Sequence, residues 1–128
     1  MISIIGVVVL AGGFGHVITG LVIFRPQLKA ILNDGVVNAV LPHFDRRAAL
    51  WFILFGAMVA MTGHLLIHAA AMGDLEAVRI AGWYLLGVSS VGTLTQTRSP
   101  SWVLVVLSLL LLGLSYFGAD SGFIPTGL

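Results

Sequence analysis

Between Trp51 and His68 the chain runs eighteen residues, WFILFGAMVAMTGHLLIH, without an Asp, Glu, Lys or Arg. A stretch of that length and polarity reads as a helix that crosses a bilayer. It ends in two histidines one helical turn apart. At a spacing of four it supplies Gly56, Ala60, His64 and His68, which the periodicity predicts on one helix face.

The rest of the chain agrees with a membrane setting. Over the 128 residues the hydrophobic fraction is 59% and the charged fraction 9%, with a mean hydropathy of +1.09. A soluble domain carries roughly 25% charged residues, so too few charges are present here to cover a water-facing surface. The formal net charge is +1, spread over six scattered cations. That excludes a nucleic-acid patch and a polybasic lipid-binding cluster. There is no cysteine, which removes disulfides, thiolate metal sites and cysteine nucleophiles. The N-terminus lacks a basic region and a small-residue cleavage site, so Met1 onward is predicted as a retained first helix.

Apolar runs and breakers predict an all-α integral membrane four-helix bundle, a single membrane domain of residues 1–128. Its spans are about 1–24, 48–72, 77–96 and 101–117. Residues 25–47 form a long loop in which Gln27 to Leu32 reads as a short interfacial helix. Val36 to Leu41 is apolar but too short to span, and lies at the interface or dips back into the bundle. Asp45 and Asp74 are placed to cap the helices that follow them. Residues 118–128 form a short tail. Arg25, Lys29, Arg46, Arg47 and Arg98 all fall in the first and third connections. The positive-inside rule therefore predicts the 25–47 loop in the cytoplasm and both termini on the outer side.

Small and polar residues then predict the inward faces. Gly6, Gly13 and Gly20 recur every seven residues, where small side chains let another helix approach closely. Gly12, His16 and Gly20 form an adjacent row at a spacing of four. In the third span Ser89, Thr93 and Thr97 line up at the same spacing. Trp51, Trp83, Tyr84 and Trp102 sit near helix ends, as interfacial aromatics do.

Chemistry is expected of the histidines, because an imidazole inside a membrane is costly unless it has a partner. His16 and His64 are the candidate catalytic groups; His16, His64 and His68 are the candidate cofactor ligands. His64 and His68 have the H-x-x-x-H spacing with which one helix presents two imidazoles to a metal ion. Leu65 stands where a hydrolytic zinc helix carries its glutamate, and no carboxylate lies within a turn, so such an ion is under-ligated without a further donor. At 1.5 Å per residue the predicted spans place His16 and His64 about 10 Å apart along the membrane normal. That excludes one mononuclear centre but admits a large ligand such as haem between them. His43 belongs to a charged loop, where a solvated or capping role is expected.

Gly15-His16 with Gly20, Trp51-Phe52 with Gly56, Gly82-Trp83 and Ser99-Pro100-Ser101-Trp102 together resemble an uncharacterised family, a domain of unknown function, of small bacterial four-helix membrane proteins. The resemblance covers most of the chain and implies the four-helix fold and a bacterial cytoplasmic (inner) membrane. It does not include the His64–His68 pair. The architecture is also similar to that of small four-helix membrane isomerases that hold haem b on a helix histidine.

The expected function is therefore binding of a cofactor, haem b foremost, or of an apolar small molecule through intramembrane histidines. If it is an enzyme, the class expected is a membrane isomerase or oxidoreductase on a hydrophobic substrate. Partners expected are the bilayer, the apolar molecule and further copies of the chain through glycine-rich faces. Two other readings stand beside this one: an accessory subunit with histidines as helix glue, and an oligomeric transporter.

Overall fold

A computed structural model of the protein describes residues 1–118. They form five helices and, among the described residues, no strand: α1 (Ile2–Ile23), α2 (Arg25–Asn33), α3 (Phe44–Met72), α4 (Leu75–Thr95) and α5 (Ser101–Phe117). Three of them, α1, α3 and α4, are long and apolar enough to cross a membrane. The fourth apolar helix, α5, has 17 residues. The tail expected beyond Gly118 lies outside the described residues.

Helix ends follow local chemistry. Pro26 opens α2 at its first turn, where a missing N–H costs nothing. The helix expected at 27–32 therefore extends to Arg25–Asn33. α3 starts four residues earlier than the apolar run, because Phe44-Asp45-Arg46-Arg47 continues the helix beyond the apolar stretch. Asp45 consequently sits inside the first turn and not at the cap, where its charge still suits the positive helix end. Asp74 does cap α4: its Oδ1 accepts from the Ala77 N–H at 2.9 Å. The turn before it is made by Gly73 at φ +69°, a conformation that favours glycine.

The chain divides into two compact units, Val8–Gly63 and a second made of Met1–Val7 with the chain from His64 onward. In the first, α1 and α3 run antiparallel along a seam of small residues. A Cβ on Gly13 would fall on the Ala60 backbone nitrogen and 2.6 Å from its Cα. One on Gly20 would meet Ile53 and Phe52 side chains at 2.8 and 2.9 Å, and one on Gly56 would meet Val17 at 2.9 Å. The glycine stripe expected to bring another helix close thus does so within the chain. The 34–43 connection is tied down by Arg46, whose Nη1 donates to Asp34 Oδ2 at 2.7 Å and to the Ala39 carbonyl at 2.6 Å.

In the second unit α4 and α5 pack antiparallel, with Gly82 against Leu112 and Leu111. Val78, Ser108, Leu111 and Ser115 are fully buried there. The buried hydroxyls bond back to their own helices: Ser89 to the Leu85 carbonyl, Ser108 to Val105 and Ser115 to Leu112. That satisfies them without a cross-helix partner. Thr93 and Ser101 hydroxyls do meet across the pair, at 3.1 Å. Thr97 leaves the predicted row, since α4 ends at Thr95 and Thr97 is an exposed turn residue.

Candidate functional site

His16 lies on the α1 side of the first unit's seam. Its ring stacks on Phe52 with centroids 3.9 Å apart and planes 16° from parallel, and Phe55 meets it edge-on at 5.6 Å. Phe24 closes on the far edge of Phe52 at 5.4 Å. Gly56 makes this packing possible: a Cβ there would stand 3.0 Å from the imidazole Cδ2. The ring's polar neighbour is the Phe52 backbone. Its Nε2 is buried and has no hydrogen-bond partner. The sequence placed His16 facing protein, and the structure agrees. The aromatic cradle of Phe52, Phe55 and Phe24 was not anticipated, although Phe52 and Gly56 stand one turn apart on α3, the spacing that marks neighbours on a helix face.

His64 and His68 occupy successive turns of α3, and both are exposed. They do not share the buried face of Gly56 and Ala60 as the four-residue row predicted. Each step of four residues turns a helix face by about 40°, so the row swings about 120° between Gly56 and His68. The buried line follows a seven-residue period, through Ala49, Gly56 and Gly63. Neither imidazole has a hydrogen bond, ion pair or ring contact among the described residues. No three His, Cys, Asp or Glu side chains come together there to hold a metal ion. His16 belongs to one compact unit, and His64 and His68 to the other. His43 is exposed in the loop before α3.

A further polar cluster joins α4 and α5. The Arg79 guanidinium lies 4.9 Å over the Tyr116 ring, and Trp83 Nε1 donates to the Tyr116 hydroxyl at 3.4 Å. Arg79 Nε is buried without a partner. The arrangement holds the cation on an aromatic face. Trp51, Trp83, Tyr84 and Trp102 are all exposed, as expected of residues that face lipid or head groups.

The model of a family of unknown function, DUF6463, matches residues 1–116, and the chain belongs to that family. No curated protein and no solved structure matches it.

Proposed function

We propose that this member of the DUF6463 family is a four-span protein of a bacterial cytoplasmic membrane that binds an apolar small molecule through His16. The observation that carries the reading is the buried Nε2 without a partner, in a seam that is otherwise apolar. Leaving such an atom unmet costs about 1–3 kcal/mol. A phenylalanine would pack on Phe52 without that cost, so the nitrogen is explained by a partner it meets in use. In its neutral form an imidazole has one bare nitrogen, and with that nitrogen at Nε2 a lone pair is free there. That lone pair accepts a hydrogen bond from a hydroxyl or similar group on an otherwise apolar molecule. Isomerisation of the bound molecule by a proton shift would use the same atom as its acid or base.

In the proposed topology α1, α3, α4 and α5 cross the membrane, both termini face outward, and the loop with Arg25, Lys29, Arg46 and Arg47 faces the cytoplasm. Assembly with further copies falls to Gly15, Gly87 and Gly113, helical positions where a Cβ meets nothing within 4 Å.

The test is organic extraction and a visible absorption spectrum of detergent-purified wild type beside His16→Phe. A molecule recovered from wild type and absent from a well-folded His16→Phe supports the proposal. A haem-type band lost in that variant would make the molecule haem. Equal recovery from both proteins would overturn the role of His16 and favour the helix-glue or transport readings.

A further inference from the structure

The second unit contains the end of α3, and its exposed face carries His64, His68 and Met72 at two successive spacings of four. Each step turns the face by about 40°, so the three stay within an arc of about 80° and consecutive members are turn-to-turn neighbours. Met72 is 72% exposed, and both histidines are exposed as well. None of the three has a hydrogen bond, ion pair or ring contact among the described residues. Their depth is also informative. Counted from Ala48, about 20 residues fill the hydrocarbon core. His68 then stands at the far boundary, His64 one turn inside it and Met72 one turn outside. Ions in water reach such a row from that boundary.

The donor chemistry selects the ion. Magnesium, calcium and manganese want carboxylate, carbonyl and water oxygens, and no carboxylate cluster exists among the described residues. Zinc takes four ligands in a closed site, which one helix face does not provide. Imidazole suits copper, nickel and iron as well as zinc, and the thioether beside the two imidazoles adds a soft donor that favours copper(I) among them. Copper(I) also accepts few ligands, which removes the shortage that makes the His64–His68 pair inadequate for zinc. We propose that His64, His68 and Met72 form a copper(I) site at the C-terminal end of α3. The two imidazoles are its principal ligands, and Met72 offers a neighbouring thioether. The site is separate from His16 and does not rest on the ligand proposed there.

The experiment is a competition titration of the full-length detergent-purified protein under argon, with copper(I) presented from the chromophoric chelator bicinchoninate. Wild type is compared with His64→Ala, His68→Ala, Met72→Leu and the loop control His43→Ala. Size-exclusion profiles and helical circular dichroism confirm folding, which the exposure of all four positions favours. Wild type should withdraw one equivalent of copper(I). Loss of either α3 histidine should weaken binding by at least the roughly tenfold that loss of even an outer partner costs a metal site. Met72→Leu should weaken it by a smaller factor, and His43→Ala should leave it unchanged. Zinc(II) at the same concentration should not displace the copper. Copper uptake that survives in the His64→Ala, His68→Ala double variant, or no uptake by wild type, would overturn the site.

Discussion

At the scale of single residues, His16 is where packing and chemistry conflict. Its ring is held as a phenylalanine would be, flat on Phe52 and edged by Phe55, yet its buried Nε2 has no partner. Once the bound molecule is stripped from both proteins, His16→Phe should therefore raise thermal stability in detergent, by an amount on the order of 1 kcal/mol, because the unmet nitrogen is removed. A helix-glue histidine predicts the opposite sign, and a melting curve distinguishes them. The sequence indicated that His16 faces protein, since its neighbour in the spacing, Gly20, is a packing glycine. It did not reveal the orphaned atom, which depends on the ring being clamped between aromatics from another helix. Nor did it place His64 and His68 correctly. A row at spacing four drifts off a face over three turns, and the two histidines are the members that drift out.

At the scale of helices, the organising device is one small residue every seven positions. Gly6, Gly13 and Gly20 are buried on α1, Ala49, Gly56 and Gly63 on α3, Gly82 and Ser89 on α4, and Ser108 and Ser115 on α5. A seven-residue period keeps a seam facing its partner when two helices supercoil left-handedly. Small side chains let the backbones close, which in lipid substitutes for the missing hydrophobic drive. Gly13→Val would set a side chain onto the Ala60 backbone, whereas a Cβ at Gly12 meets nothing within 4 Å. The first should cost at least the roughly 1–3 kcal/mol of an overpacked core, and the second should be near neutral; paired detergent melts measure both. The stripe on α1 was legible in the sequence. Its partner was not, because a period identifies a face and not the helix that covers it.

The 34–43 connection is a second element with a readable cause. Arg46 reaches back to Asp34 and to the Ala39 carbonyl, and its side chain is 12% exposed. Arg46→Met keeps the stem and removes both bonds. Limited proteolysis should then cut within residues 34–43 faster than in wild type, with the helices intact. Sequence alone suggested an interfacial or re-entrant segment at 36–41, because apolar residues outside a span have few other readings. The structure makes it an irregular turn with Val36 and Asn38 at positive φ.

At the scale of the molecule, the all-helical class and the membrane-length helices were readable because hydropathy and breakers act over whole segments. Arg25-Pro26 ends one apolar run and Arg98-Ser99-Pro100 separates two others. The proposed orientation is testable because the chain has no cysteine. Single cysteines at Val37 and at Glu76 should be labelled by an impermeant maleimide from opposite sides of the membrane, Glu76→Cys from outside intact cells. Labelling of both from one side would refute the topology.

The claim that His16 holds a bound molecule is tested most directly by native mass spectrometry of the detergent-purified chain beside His16→Phe. The account predicts a wild-type species heavier than the 13.5 kDa chain by one small molecule, and a folded His16→Phe at the mass of the bare chain. Identical spectra from the two proteins, whether both bare or both loaded, would contradict it.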